Sequence, residues 1–113
     1  MWFVDEPYRR LVAELAVLAG GKLPLTDVTD TYDYDRKEGP TFGFTFRGKR
    51  YERELVYMGD YYDYASISLI NSAIGEALGR RFYGTDGASI LYLTEAQAAA
   101  LGERFPTLAL HSF

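Results

Sequence analysis

The chain has no cysteine and a single histidine in 113 residues. Without a thiol there can be no disulfide, thiolate zinc site or cysteine nucleophile. One imidazole excludes every site that needs two. Long apolar runs are missing too. The longest mostly apolar stretch, Leu11 to Ala19, carries Glu14 and falls well short of the roughly 20 residues a membrane span needs. Basic charge is in deficit: 12 Lys and Arg stand against 16 Asp and Glu, a net charge of −4. Nucleic-acid affinity comes largely from a basic field that releases counterions. The one local basic run here, Arg47, Lys49, Arg50 and Arg53, is interrupted by Glu52 and Glu54. The expected partner is therefore a basic protein, with no direct nucleic acid and no membrane. Residues Met1-Trp2-Phe3-Val4-Asp5-Glu6-Pro7 show no positive segment followed by an apolar one. No signal peptide is expected, and the chain reads as cytoplasmic.

What is present suits a packed core: 48% of residues are apolar and 16% aromatic, which argues against wholesale disorder. The length allows one domain, residues 1–113. Pro7 suits a first helical position, with Asp5 or Glu6 as cap. Leu11, Leu15 and Leu18, with Val12, Ala16 and Ala19, form a helical stripe that Gly20-Gly21 ends, predicting a helix over about 7–19. From Thr26 the period becomes two. Tyr32 and Tyr34 alternate with Thr31, Asp33 and Asp35, and Phe42, Phe44 and Phe46 alternate with small or polar residues. Gly48 marks a tight turn into a strand over about 50–58, completing a three-stranded meander. Asp63 or Ser66 can cap a second helix whose stripe is Ile67, Ile70, Ile74 and Leu78, closed by Gly79. Asp86-Gly87 signals a hairpin between Phe82-Tyr83 and Ile90–Leu93. Thr94-Glu95-Ala96-Gln97 is a capping box for a third helix that Pro106 stops, and the tail alternates enough for a short edge strand. The predicted fold is α+β, ordered α-β-β-β-α-β-β-α. It is a two-layer sandwich with one five-stranded antiparallel sheet and helices packed on it.

Catalytic and metal motifs fail on spacing. Gly20-Gly21-Lys22 has Ala16 where a phosphate loop needs glycine and Leu23 where it needs a hydroxyl. Counting Asp33 as the first calcium ligand puts Glu38 at the obligatory glycine and Phe44 at the bidentate carboxylate. A looser calcium site from Asp30, Asp33 and Asp35 conflicts with strand alternation, which spreads ligands apart. Ser66, Ser68, Ser72 and Ser89 lack a nucleophile-elbow context, and His111, the only base on offer, sits near a tail. Carboxylates alone could run glycoside hydrolysis, but a chain this short has few loops from which to build a cleft. Gly75 and Gly79 on the second helix read as close packing and a C-cap. No enzyme activity, cofactor or metal is expected.

One feature is left. Seven of ten tyrosines lie between Tyr32 and Tyr64, and nine of 16 acids between Asp27 and Asp63. Tyrosine brings large contact area at low entropic cost, and neighbouring carboxylates pair a partner's Arg or Lys. The candidate partner-binding residues are Tyr32, Asp33, Tyr34, Asp35, Asp60, Tyr61, Tyr62, Asp63 and Tyr64.

The stretch Leu69–Leu101 resembles small bacterial immunity proteins through Leu69-Ile70-Asn71, Gly79-Arg80-Arg81-Phe82-Tyr83, Asp86-Gly87 and Leu93-Thr94-Glu95-Ala96-Gln97-Ala98. That resemblance implies a non-enzymatic domain that blocks a toxin encoded beside it. The element order with low pI is also similar to type III secretion chaperones, which implies a homodimer holding a segment of a secreted protein. The shared motifs are structural, so neither resemblance assigns binding residues. A phage-type inhibitor of a nucleic-acid enzyme, with carboxylates imitating phosphates, uses the same surface chemistry.

Overall fold

The computed structural model describes residues 7–31, 41–56, 63–86 and 89–113. The elements run α1 (Pro7–Leu18), β1 (Thr26–Thr31), β2 (Thr41–Phe46), β3 (Lys49–Glu54), α2 (Ala65–Leu78), β4 (Arg81–Gly84), β5 (Ile90–Leu93), α3 (Glu95–Arg104), a 3-10 turn (Pro106–Leu108) and β6 (His111–Ser112). The class is α+β with the expected order, and the tail supplies the short edge strand.

Local chemistry sets most boundaries. Gly20 and Gly21 both take positive φ, and their N–H groups bond Val17 and Ala16 carbonyls, closing α1 in a Schellman motif. The predicted caps Asp5 and Glu6 lie outside the described residues. The Tyr8 N–H donates to the Asp30 carboxylate at 2.7 Å, so a β1 side chain caps α1. Arg47 and Gly48 both take positive φ, the signature of a two-residue type I′ turn between β2 and β3. Thr94 and Gln97 form both halves of the capping box on α3. The β4–β5 connection is longer than a two-residue Asp-Gly turn. Gly84 pairs Ile90, and the Thr85 N–H bonds the Ser89 carbonyl at 3.1 Å.

The core joins Leu11, Val12 and Leu15 of α1, Phe42, Phe44 and Phe46 of β2, Ile67, Ile70 and Ile74 of α2, and Phe82 of β4. Phe42, Phe44 and Phe82 are fully buried, each worth about 1.5–3 kcal/mol of hydrophobic transfer. The α1 stripe is centred on Tyr8, Leu11, Val12, Leu15 and Ala19. Leu18 falls on its flank and is 44% exposed.

The expected single five-stranded sheet is not formed. There are two separate three-stranded antiparallel sheets, ordered β1-β2-β3 and β5-β4-β6. Helix α2 packs against β2 and β3 of the first sheet and β4 of the second. Asn71 also occupies the place where a further strand would pair. Its amide donates to the Phe82 carbonyl at 2.9 Å and accepts the Phe82 N–H at 2.8 Å. The helices do not share one face either. α3 contacts β5, and Tyr83 and Ala98 are buried outside the main cluster. Strand alternation puts Tyr83 opposite Phe82, so a second small core lies under α3.

Candidate protein-binding end of the first sheet

Of the nine candidate residues, Tyr32, Asp33, Tyr34, Asp35, Asp60, Tyr61 and Tyr62 lie outside the described residues. Asp63 and Tyr64 are described, and the structure gives them different roles. Both Asp63 carboxylate oxygens accept backbone N–H groups, from Val56 at 2.8 Å and from Ala65 at 3.0 Å. The first ties the end of β3 to this point, and the second satisfies an orphan donor of α2. The Asp63 N–H donates to the Tyr8 hydroxyl at 2.7 Å, and its carbonyl accepts from the buried Ser66 hydroxyl at 2.9 Å. Asp63 is thus an internal clamp. Tyr64 is 47% exposed, and its ring leans on Phe113 with centroids 5.2 Å apart.

The clamp belongs to a larger convergence. Thr31 pairs Thr41 and Thr41 pairs Glu54, so β1 ends, β2 begins and β3 ends side by side. The start of α1 is held at the same end through Tyr8, bonded to Asp30 near the end of β1 and to Asp63. Segments 1–6, 32–40 and 57–62 therefore all join the described fold at one end of the first sheet. These are also the segments that carry the charge. Asp5, Glu6, Asp33, Asp35, Glu38 and Asp60 belong to them, against only Arg36 and Lys37. The described residues hold the other ten acids and ten bases, so they are electrically balanced.

Three of the four residues of the basic run make contacts within the sheet. Arg50 lies across Gly43, where a Cβ would come 2.7 Å from its Nη2. It donates to Glu52, to the Asp27 carbonyl and to the Thr29 hydroxyl. The Asp27 carbonyl belongs to the irregular stretch of β1 between Thr26 and Thr29, which Arg50 braces. Arg47 sits over the Phe46 ring and Lys49 over Tyr51.

His111 is placed differently from a fraying end. It pairs Gly84 in β6, its Nδ1 is 3.1 Å from the Ala109 carbonyl, and its ring meets Phe113 edge-on. Among the described residues no three His, Asp or Glu side chains come together to hold a metal ion. Among them, too, no helix is long and apolar enough to cross a membrane. Asp30, one of the loose calcium candidates, directs its carboxylate at the start of α1.

Sequence reasoning missed Tyr8 and Asp30 as parts of this end, and Asn71 as the joint between α2 and the second sheet. Asp30 carried a faint signal as one more acid in the acidic tract, but its partner is 22 residues away. No protein-family model matches the chain, and no significant match was found among curated proteins or solved structures.

Proposed function

We propose that the chain is a non-enzymatic protein-binding domain that blocks or masks a basic partner protein, as an immunity or inhibitor protein does. The binding residues are Tyr32, Asp33, Tyr34, Asp35, Asp60, Tyr61, Tyr62 and Tyr64, with Asp63 holding their base. One observation carries the reading: the acid-rich segments join an electrically balanced fold at a single end of the first sheet. Charge gathered at one end steers a basic partner toward that end, and tyrosines beside it supply contact area.

The test begins by capturing and identifying a partner, then measures its affinity by calorimetry against two variants. One is Asp33→Lys/Asp35→Lys/Asp60→Lys, and the other is Tyr61→Ala/Tyr62→Ala. Each is expected to weaken binding at least about tenfold, the scale of lost charged contacts and hot spots, with an unchanged melting temperature. Affinity for the parent should fall with added salt. Undiminished binding by both variants, or loss of binding only together with unfolding, overturns the proposal. A tight dimer by light scattering, binding an uncharged apolar segment, favours the chaperone reading instead.

A further inference from the structure

An open groove of about 370 Å³ runs between α2 and the second sheet, lined by Ser68, Asn71, Ser72, Glu76, Arg81, Ser112 and Phe113. It is remote in sequence from the acid-rich segments and does not depend on their role. Gly75 lies in the interior of α2, where glycine weakens a helix relative to alanine. Arg81 accounts for it: a Cβ on Gly75 would stand 2.5 Å from the arginine Nε and 2.8 Å from Cζ. The guanidinium is laid across the helix backbone at the groove. Among the described residues no carboxylate or other acceptor takes its donors. A half-buried arginine seated on a costly glycine with its fork unused is a local departure from good helix design, the kind that marks binding sites.

The remaining wall has the opposite chemistry. Ser72 spends its proton on the Leu69 carbonyl at 2.7 Å and Ser112 on the Phe113 main-chain oxygen at 3.3 Å, so both hydroxyl oxygens are left as acceptors. Asn71 is fully engaged with backbone and fixes the floor. Glu76 adds an exposed carboxylate that pairs with no cation among the described residues. The groove's side chains thus offer one cation, Arg81, and one anion, Glu76, beside the Phe113 main-chain oxygen that Asn71 and Ser112 hold. A phosphate dianion would meet Arg81 but be repelled by Glu76, whereas a ligand carrying both charges finds a partner for each. We propose that this groove binds a small zwitterion of the α-amino-acid class, its carboxylate on Arg81 and its ammonium on Glu76 and the serine oxygens.

The test is an amide-resonance titration of the full chain with glycine, serine and glutamine as probes. Acetate, methylammonium and inorganic phosphate serve as comparisons at matched ionic strength. At least one amino acid should produce saturable shifts at Ser72, Gly75, Glu76, Arg81 and Ser112, with each half-ligand weaker by about tenfold, the value of one charge-assisted contact. Arg81→Gln should abolish saturation. Gly75→Ala should weaken binding while keeping the fold, because the arginine end can swing away and alanine favours the helix. Glu76→Gln should weaken the amino acid and strengthen acetate. The proposal is overturned if no amino acid saturates, if acetate or phosphate binds as tightly, or if Gly75→Ala binds like the parent.

Discussion

The Tyr8 hydroxyl accepts the backbone N–H of Asp63 at 2.7 Å, across 55 residues of sequence. Through this bond the start of α1 and the approach to α2 share one partly buried joint, which Asp63 extends to Val56 and Asp30 to Tyr8. Tyr8→Phe keeps the ring and strands one donor, at an expected loss of about 1–2 kcal/mol. Asp63→Ala removes two charge-assisted bonds, and about 2–4 kcal/mol is expected. Urea unfolding at constant slope measures both. An unchanged Asp63→Ala midpoint would show that the carboxylate is free for a partner after all.

Asn71→Leu leaves both the N–H and C=O of buried Phe82 without their partner. At about 1–3 kcal/mol for each group, a loss of about 2–5 kcal/mol is expected, beyond anything the added apolar volume returns. Hydrogen exchange at the Phe82 amide should accelerate by at least the same factor as global unfolding, and slow exchange there would refute the account.

The β2–β3 turn separates two residues that look alike by conformation. Gly48 has φ +80° and Arg47 +51°. Gly48→Ala should cost about 1–2 kcal/mol from the left-handed penalty alone. Arg47→Asn relieves part of such a penalty but loses the stack on Phe46, worth about 0.5–1 kcal/mol, so it should be close to neutral. Thermal unfolding of the two variants side by side tests the difference.

Burial raises the Tyr92 phenol above its ordinary value of 10.0, and the nearby Arg80 opposes that only in part. The folded state therefore favours the protonated phenol. Its contribution is fully present below the unfolded pKa near 10 and is lost as pH rises through the higher folded value. Stability should decline above about pH 10, and Tyr92→Phe should flatten that part of the curve. A parallel decline in the variant would assign the loss to other groups.

Where the signal is local, the sequence reveals the fold. Phe42, Phe44 and Phe46 announce a one-sided strand because its side chains alternate, and all three are buried. Thr94 and Gln97 lie three apart, so the cap of α3 is readable without tertiary knowledge. The separation of the sheets is not local. It goes with α2 touching strands of both sheets, and with Asn71, one of several polar residues on that helix, turning inward to a strand. Of the candidate site, Asp63 is legible both as a helix cap and as a member of the acidic cluster. Only the position of Val56 and Tyr8 around it shows that its hydrogen-bonding capacity is directed inward.

The side-chain amide at Phe82 also bears on what the molecule avoids. A strand edge with open amide and carbonyl groups recruits any extended chain that passes, including copies of itself. On β4 that edge is covered by β6 at Tyr83 and Gly84 and by Asn71 at Phe82. An asparagine on a helix cannot propagate a ladder as a strand would, so pairing stops where it begins. The same residue that ties α2 to the second sheet therefore closes Phe82 to a strand of another molecule.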